Sequence, residues 1–346
     1  MGLATGISAG ISSAWRDYAG CSPEDPQSRG NLMVKVGTWN LENLFKPGGD
    51  AGPTTGQAYE AKVTALAETI TNLQVDVLAV QEVGTPEAMD DLASQVGGQW
   101  HVELAKPDGR GIRVGFLSRL PLAAVEQVSA FPDGLHPIQV DDTNTDMAVM
   151  GRPALAVRVT VGAQSLDLTT FHLKSKLLTF PGGRFAPRDE DERVRYGVYA
   201  LSRRAAEAAT VRAHIQALLD NQGMDRPVIA LGDCNDEADA ATTQLLLGPP
   251  GSEIGTAGFN RPDAGDGQRL WNLAPLIPEK QRYSRLVLGQ PQLIDHILVS
   301  HNLVQLLGPG DVTTGDNHTP SVTNDPNDRH NEPGSDHRPV LVGIPI

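Results

Sequence analysis

Five apolar segments of the chain each end in an acid, an amide or a histidine, and this feature constrains the fold more than any other. The polar residues at the five ends, in chain order, are Asn40-Leu41-Glu42-Asn43, Gln81-Glu82, His172, Asp233-Cys234-Asn235-Asp236 and Asp295-His296. A sixth cluster, Ser335-Asp336-His337-Arg338, precedes the last apolar segment. An unpaired charge at a buried strand end is costly, so several that converge at one edge of a core require a shared partner. A hard cation together with a phosphate group meets that requirement.

The order of the predicted elements favours two packed sheets with helices outside them over alternating β–α–β units. Apolar and β-branched runs between turn residues predict strands at 32–39, 75–80, 100–105, 112–118, 122–130, 154–161, 165–172, 228–232, 291–299 and 338–344. Apolar residues at helical spacing predict helices at 60–73, 86–96, 191–219 and 238–247. The polar run 308–335 is interpreted as a solvated loop. Strands outnumber helices, which predicts an α+β fold.

A single domain is predicted over residues 31–346, preceded by a flexible tail at residues 1–30. Residues 1–14 are not preceded by a basic segment and no strong apolar stretch follows them, so they do not resemble a signal peptide. Nowhere does the chain approach a run of about 18 apolar residues, so no membrane span is expected. We therefore expect a cytoplasmic protein. Cys21 and Cys234 are too few for a disulfide scaffold, and both thiols are expected to be free.

The charge balance bears on the partners that the protein can have. The formal net charge is −14, which opposes the broad electropositive face that gives non-specific nucleic-acid binding its affinity. Nucleic acid is therefore not favoured as a partner. A nuclease is not excluded, because a bound cation and a local basic rim can overturn the net field.

Three of the polar strand ends have a functional and a structural interpretation. Glu82 is either a metal ligand or a salt-bridged edge residue. Asp233 and Asn235, two positions apart on an extended loop, either share one ligand or form an Asx turn. Asp336-His337 either joins the site or makes a turn into the last strand. Oxygen donors without a cysteine pair favour Mg²⁺, with Mn²⁺ as a substitute, over zinc.

Seven segments in order resemble the signatures of the endonuclease/exonuclease/phosphatase superfamily. They lie at residues 36–45, 75–83, 112–121, 170–176, 229–236, 293–300 and 335–340 and read VGTWNLENLF, VDVLAVQEV, IRVGFLSRLP, TFHLKSK, IALGDCND, LIDHILVS and SDHRPV. This resemblance implies a four-layer αββα sandwich in which two mainly antiparallel sheets pack face to face with helices outside. It also implies that the site lies at one edge, where loops from both sheets meet.

The resemblance implies a role for each matched position. The metal is expected on Asn40, Glu82 and Asp336. The catalytic residues are expected to be His172, Asp233, Asn235, Asp295 and His337. In this scheme Asp295 orients His337, His172 contacts a phosphate oxygen, and either His337 or Asp233 removes the proton from water. Lys174 and Arg113 are further candidates for contacting the phosphate of the substrate, although a surface role is also open for Arg113.

The expected activity is metal-dependent hydrolysis of a phosphodiester or phosphomonoester by in-line attack of water. The acidic charge favours a nucleotide- or metabolite-sized substrate. Endonuclease or exonuclease activity on DNA or RNA is one alternative, and a non-catalytic phosphate-binding module of the same fold is another. A membrane-lipid phosphodiesterase is less favoured, because the sequence shows no clear amphipathic anchor. The scaffold alone does not name a substrate.

Overall fold

Two six-stranded β-sheets form the centre of the fold. The computed structural model describes residues 33–49, 51–315, 319–323, 325 and 328–346, and the predicted tail at 1–30 lies outside the described residues. The first sheet contains, in spatial order, β15 (Val312–Thr314), β17 (Val340–Pro345), β1 (Met33–Leu44), β2 (Val77–Val83), β4 (Arg113–Ser118) and β3 (His101–Leu104). Its strands β1 and β2 are parallel, and its other neighbouring strands pair antiparallel.

The second sheet has the same plan. It contains, in spatial order, β11 (Leu270–Asn272), β14 (Asp295–Ser300), β10 (Val228–Asp233), β9 (Gln164–His172), β8 (Val149–Val161) and β5 (Leu122–Ala130). Here β9 and β10 are the parallel pair. Smaller sheets are formed by β6 (Ile138–Gln139) with β7 (Asp146–Met147), and by β12 (Arg285–Val287), β13 (Gln290–Gln292) and β16 (Ser321–Val322).

The helices lie outside the two large sheets. They are α1 (Gly56–Leu73), α2 (Pro86–Val96), α3 (Glu190–Leu219), α4 (Ala241–Leu247) and α5 (His301–Val304), with 3₁₀ turns at Ala274–Leu276 and Glu279–Gln281. Helix α2 begins as its sequence predicts, because the side chain of Thr85 accepts a hydrogen bond from Ala88 N and Pro86 occupies the first turn. No described helix has the length and apolar character needed to cross a membrane.

Three apolar cores separate four layers. The inner core lies between the sheets and includes Val36, Val77, Phe116, Leu155, Leu168, Leu231 and Val299. One outer core packs α1 and α2 on the first sheet through Leu66, Ile70, Leu92, Trp39, Leu78 and Leu117. The other packs α3 on the second sheet through Val211, Ile215, Leu219, Phe171, Ala230 and Leu298. The predicted α+β sandwich of two mainly antiparallel sheets with helices outside is confirmed.

Two predicted elements differ from the structure. The strand predicted at 291–299 is divided into β13 and β14, so Asp295 begins a strand instead of ending one. The segment 308–335, interpreted as a solvated loop, contributes β15 and β16 among its described residues. A local pattern does not show where pairing begins: β13 forms a hairpin with β12, β14 pairs with β10, and β15 and β16 pair with the distant strands β17 and β12.

Candidate active site

The strand registers bring the polar ends together. In the second sheet Asp233 is the register partner of His172 on the parallel strand β9 and of Asp295 on the antiparallel strand β14. In the first sheet Asn40 is the register partner of Gln81, at the corresponding ends of β1 and β2. Parallel neighbours end at the same edge, and an antiparallel neighbour begins where its partner ends. The two sheets therefore present their polar residues at one edge of the sandwich.

Local distortions of the backbone set the direction of several of these side chains. The pairing shifts register between Asn40 and Leu44 on β1 and between Gln81 and Val83 on β2. Glu82, between the last two, has a φ of 61°. Positive φ values also occur at Glu42, Asn43 and Asn235. Bulges redirect side chains next to functional sites, and left-handed backbone at non-glycine residues tends to occur there too.

Asn40 links the two sheets through its side-chain amide. Its Nδ2 donates to Glu82 Oε1 at 3.2 Å and to Asp233 Oδ2 at 3.0 Å, while its Oδ1 accepts from the backbone N–H of Glu42 at 2.9 Å. The backbone N–H of Asn43 donates to the second oxygen of Glu82 at 2.9 Å. The Asn40 amide thus presents its nitrogen to the carboxylates, so direct coordination of a metal through Oδ1 requires the amide to rotate.

Asp295 and His337 form the predicted dyad. Asp295 Oδ2 lies 2.7 Å from His337 Nδ1, and both side chains are buried. Burial disfavours the imidazolium, but the charges of Asp295 and Asp336 outweigh it and raise the pKa of His337 to about 10. The other oxygen of the dyad carboxylate, Asp295 Oδ1, is buried and makes no hydrogen bond within the described structure. A carboxylate in this position orients the ring and stabilises its charged form.

Asp233 lies at the middle of the cluster. Its Oδ1 accepts from the backbone N–H of Asn235 at 2.7 Å, and His172 Nε2 lies 3.3 Å from its Oδ2. Burial and the nearby charge of Asp295 raise the pKa of Asp233 to about 7. One ligand atom each from Asp233, Asp295 and His337 lies within 4.8 Å of the others. The side-chain nitrogen of Asn235 donates to the carbonyl of Leu173 at 3.1 Å.

Asp336 is held beside the dyad by an arginine that the sequence pattern did not single out. Arg285 contacts Asp336 Oδ2 through Nε at 2.9 Å and through Nη2 at 2.7 Å. The other carboxylate oxygen, Oδ1, lies 3.9 Å from Nε2 of His337. Asp336 therefore keeps one oxygen on the side of the dyad. The signal for Arg285 is weak, because it stands in a three-residue strand and its partner Asp336 lies 51 positions away in sequence.

Glu42 is an acid beside the site to which the sequence analysis assigned no role. Its carboxylate is buried, pairs with Arg329, and accepts the backbone N–H of Asp336 at 3.0 Å. Lys62 lies 3.7 Å from the same carboxylate. The available signal was its position, since Glu42 stands two residues after Asn40 in the same polar strand end.

Lys174 and Arg113 are the two further candidates for contacting phosphate. Their side chains donate hydrogen bonds to backbone carbonyls. Lys174 Nζ donates to the carbonyls of Ser175 at 2.9 Å and Leu177 at 2.7 Å. Arg113 Nη1 donates to the carbonyls of Gly84 and Gly111. The structure does not bring either side chain into the cluster around Asp233. Their contact with a substrate stays a prediction.

The donor set fits a hard divalent cation. In the described part of the chain, neither Glu82 nor Asp233 forms an ion pair with lysine or arginine, although both accept from Asn40 Nδ2. Two neighbouring carboxylates without a permanent cation carry negative charge that Mg²⁺ or Mn²⁺ would balance. Cys234 is not a competing soft ligand, because burial and the charges of Asp233 and Asp295 raise the pKa of its thiol.

A sandwich of two sheets with a buried cluster of carboxylates and histidines at one edge is the architecture of the sandwich phosphoesterases as a class. The chain belongs to the endonuclease/exonuclease/phosphatase family, whose sequence model matches residues 37–337. Members of this family are in general metal-dependent phosphoesterases and nucleases. No curated protein matches the chain in sequence.

Solved structures share the fold at low sequence identity. TDP2 from C. elegans is 14% identical with a TM-score of 0.53, over 92% of this chain and 78% of that chain. A family protein from Leptotrichia buccalis is 15% identical with a TM-score of 0.51, over 90% of this chain and 100% of that chain. A family protein from Bacteroides thetaiotaomicron is 14% identical with a TM-score of 0.50, over 91% and 98%. These likenesses establish the fold alone.

Proposed function

We propose that the protein is a divalent-metal-dependent phosphoesterase that hydrolyses a P–O bond by in-line attack of water. This proposal rests on the observation that acidic residues from both sheets lie close together at one edge of the sandwich. Asp233, Asp295 and His337 offer ligand atoms within 4.8 Å of one another, and Asn40 joins Asp233 to Glu82. Among the described residues Glu82 and Asp233 form no ion pair with lysine or arginine, which favours binding of a metal together with the phosphate it activates.

Glu82 is the primary metal ligand in this proposal, with Asp336 as a second carboxylate and Asn40 as a third ligand if its amide turns. Bound there, the cation supplies polarisation of a non-bridging phosphate oxygen and stabilises charge on the leaving oxygen. Asn40 positions the Glu82 carboxylate in the described geometry. Arg285 restrains Asp336 through one oxygen only.

The proton-transfer roles follow from the opposite environments of Asp233 and His337. Asp295 supports the imidazolium of His337, which then donates a charged hydrogen bond to the phosphate. Asp233, with a pKa raised to about 7, is suited to accept the proton of the attacking water. Asn235 and His172 lie beside Asp233 and are placed to hold the remaining phosphate oxygens.

The substrate proposed is a nucleotide- or metabolite-sized phosphate ester, because the net charge of −14 opposes long polyanions. Nuclease activity on DNA or RNA is the second candidate. A local feature favours it: Lys176 and Arg204 both pair with Asp236, next to Asn235, so two cationic side chains lie beside this part of the site.

Hydrolysis of bis-para-nitrophenyl phosphate and para-nitrophenyl phosphate, with and without Mg²⁺ or Mn²⁺, tests the proposal. We expect metal-dependent turnover that Glu82→Gln and Asp233→Asn each lower about 1000-fold, the equivalent of about 4 kcal/mol of barrier. Glu126→Gln, on the exposed strand β5, is the matched control and should keep full activity. Unchanged turnover in Glu82→Gln, or equal rates in excess chelator, would refute the assignment.

A second assay separates the two substrate classes. Phosphate release and product length are measured for nucleotides, sugar phosphates, and single- and double-stranded oligonucleotides under the same metal conditions. A nucleotide-sized substrate predicts higher kcat/KM for the small esters. Faster cleavage of oligonucleotides, lost steeply as salt rises, would instead support the nuclease.

A further inference from the structure

Arg152 is a buried arginine directly behind one of the two site histidines. It lies in β8 and is 7% exposed. Its Nη1 lies 2.9 Å from Nδ1 of His172, and its Nη2 donates to the carbonyl of Leu173 at 3.4 Å. Among the described residues its Nε has no hydrogen-bond partner, and it lies 3.8 Å from the carboxylate of Asp108. A buried arginine in this state requires an explanation.

The contact with Arg152 decides which nitrogen of His172 carries the proton. A guanidinium has only N–H donors, so Nδ1 of His172 must accept and must hold its lone pair towards Arg152. The proton of the neutral ring is then on Nε2. That nitrogen faces two acceptors, Asp233 Oδ2 at 3.3 Å and Glu82 Oε1 at 3.9 Å. The contacts on both edges of the ring agree on the same tautomer.

The same contact opposes the doubly protonated ring. A proton on Nδ1 of His172 would point at an N–H of the guanidinium across 2.9 Å, and both groups would be positively charged. His337 is in the opposite situation, because its Nδ1 faces the carboxylate of Asp295.

The carboxylate of Glu207, on α3, accepts backbone hydrogen bonds from residues next to Arg152 and close to His172. Glu207 Oε1 accepts the backbone N–H of Gly151 at 3.1 Å, next to Arg152. Glu207 Oε2 accepts the backbone N–H of Lys174 at 2.6 Å, two residues after His172. Strands β8 and β9 are thereby fixed to the same side chain close to the site. The distance between Arg152 and His172 is held by the scaffold and not only by their own contact.

We propose that Arg152 is a positioning residue that fixes the ring of His172 with Nδ1 as the acceptor and the proton on Nε2, so that His172 donates a hydrogen bond from Nε2 to a phosphate oxygen. The catalytic part of this role rests on the function proposed above. The tautomer does not, because it follows from contacts within the chain. In this arrangement one histidine of the site is a fixed donor, and the other, His337, carries the charge.

Nuclear magnetic resonance on protein with ¹⁵N-labelled histidine, in the absence of metal, tests the tautomer directly. We expect the neutral ring of His172, observed at about pH 8, to show a protonated Nε2 and an unprotonated Nδ1. In Arg152→Met the donor is gone, and the ring should shift to a mixture of the two tautomers. Arg152→Lys keeps a cationic donor and should restore the wild-type pattern.

Arg212→Met is the matched control, because Arg212 is a partly buried arginine of α3 that donates to the carbonyls of Leu246 and Gln268. Its substitution should leave the ring signals of His172 unchanged. A wild-type His172 protonated on Nδ1 overturns the proposal, as does a wild-type pattern in a folded Arg152→Met. If Arg152→Met does not fold, Arg152→Gln replaces it. This variant retains a neutral N–H donor and is expected to preserve the form of His172 protonated on Nε2. A change of tautomer in Arg152→Gln overturns the proposal.

Steady-state kinetics test whether Arg152 contributes to catalysis. We expect Arg152→Met to lower kcat about 100-fold, the scale of one lost transition-state hydrogen bond, with a smaller change in KM. Arg152→Lys should recover most of the loss. Unchanged kcat with an altered tautomer overturns the role in catalysis. A protein with the expected tautomer and no phosphoesterase activity would contradict the proposed function while leaving the tautomer assignment intact, so the two failures are distinguishable.

Discussion

Arg329 donates two hydrogen bonds to the carboxylate of Glu42, at 2.6 and 2.9 Å, across 287 positions of sequence. Burial raises the pKa of Glu42, with a further contribution from the charge of Asp336, and the contact with Arg329 opposes that rise. The pair ties the polar segment before the last strand to β1, directly beside Asn40. The segment therefore has a structural anchor at the edge of the site.

Removing this anchor should destabilise the protein. Arg329→Met leaves the buried Glu42 carboxylate with Lys62 as its one cationic neighbour in the described part of the chain. We therefore expect a loss of about 2 kcal/mol in the free energy of unfolding, typical of hydrogen bonds to a charged group. Urea denaturation measures it. A double-mutant cycle with Glu42→Gln should show that most of the loss is shared between the two residues.

Arg193 provides the comparison for that experiment. It pairs with Glu190 on the exposed side of α3, where solvent screens the interaction, so Arg193→Met should not change the unfolding free energy measurably. Additive effects of Arg329→Met and Glu42→Gln would show that the two side chains do not interact in solution.

The Asp295–His337 dyad predicts a specific loss of catalysis. Asp295→Asn preserves the shape of the side chain but removes the charge that stabilises the imidazolium and orients the ring. We expect kcat to fall about 1000- to 10000-fold, as in other carboxylate–histidine pairs. Steady-state kinetics measure the effect, with circular dichroism to confirm the fold. Asp167→Asn, which removes an acid at the far end of β9, should remain active, and an active Asp295→Asn would exclude a catalytic dyad.

His214 on α3 predicts how stability depends on pH. Burial lowers the pKa of its ring from 6.5, and its buried Nε2 has no hydrogen-bond partner within the residues that the structure describes. Below pH 6.5 the unfolded chain binds a proton at this ring more readily than the folded protein does. The contribution of His214 therefore makes stability fall as pH decreases through this value and is absent at high pH.

His214→Gln should reduce that acid-induced loss. Unfolding free energies of both proteins are compared by urea denaturation at about pH 8, where the ring is neutral in both states, and at about pH 5.5. The difference between the two pH values should be smaller in the variant. An identical pH dependence in the two proteins would mean that the ring titrates equally in the folded and unfolded states.

The turn between β12 and β13 contains a residue that is unfavourable for its conformation. Leu288 and Gly289 have φ values of 49° and 77°, the two positive angles of a type I′ hairpin turn, and Leu288 is 62% exposed. Asparagine tolerates this conformation better than leucine, so Leu288→Asn should stabilise the protein by about 1 kcal/mol. Thermal or urea unfolding measures the gain.

Leu201, half-exposed on α3, is the control for that substitution. Leu201→Asn replaces a good helix former by a poor one, so it should destabilise the protein by about 0.5 kcal/mol. A loss of stability in Leu288→Asn would indicate that the leucine packs against something in solution.

The sequence predicted the parts of the site that follow long apolar strands. Glu82, Asp233 and His172 could be predicted because each stands at the end of such a strand, where a polar residue conflicts with its surroundings. Asp295 was predicted as a site residue, but on the wrong end of its strand, because a single apolar run does not show where the pairing with β10 begins. The family model over residues 37–337 supports the ordering of these segments.

The charged residues that surround the site could not be predicted in the same way. Arg285 and Arg329 come from short or irregular segments, and their partners are set by how those segments cross the edge of the sandwich. Arg152 stands at the start of a strand with no unusual neighbours in sequence. Its contact with His172 depends on the pairing of β8 with β9, which is a tertiary property.

The amide of Asn40 touches an acid from each sheet, and the dyad adds a residue from the final segment. A ribosome that has made three quarters of the chain has therefore not yet supplied His337. Incomplete translation products and proteolytic pieces confined to one sheet should be inert. If the proposed phosphoesterase activity requires His337, it can therefore arise only after synthesis has passed residue 337.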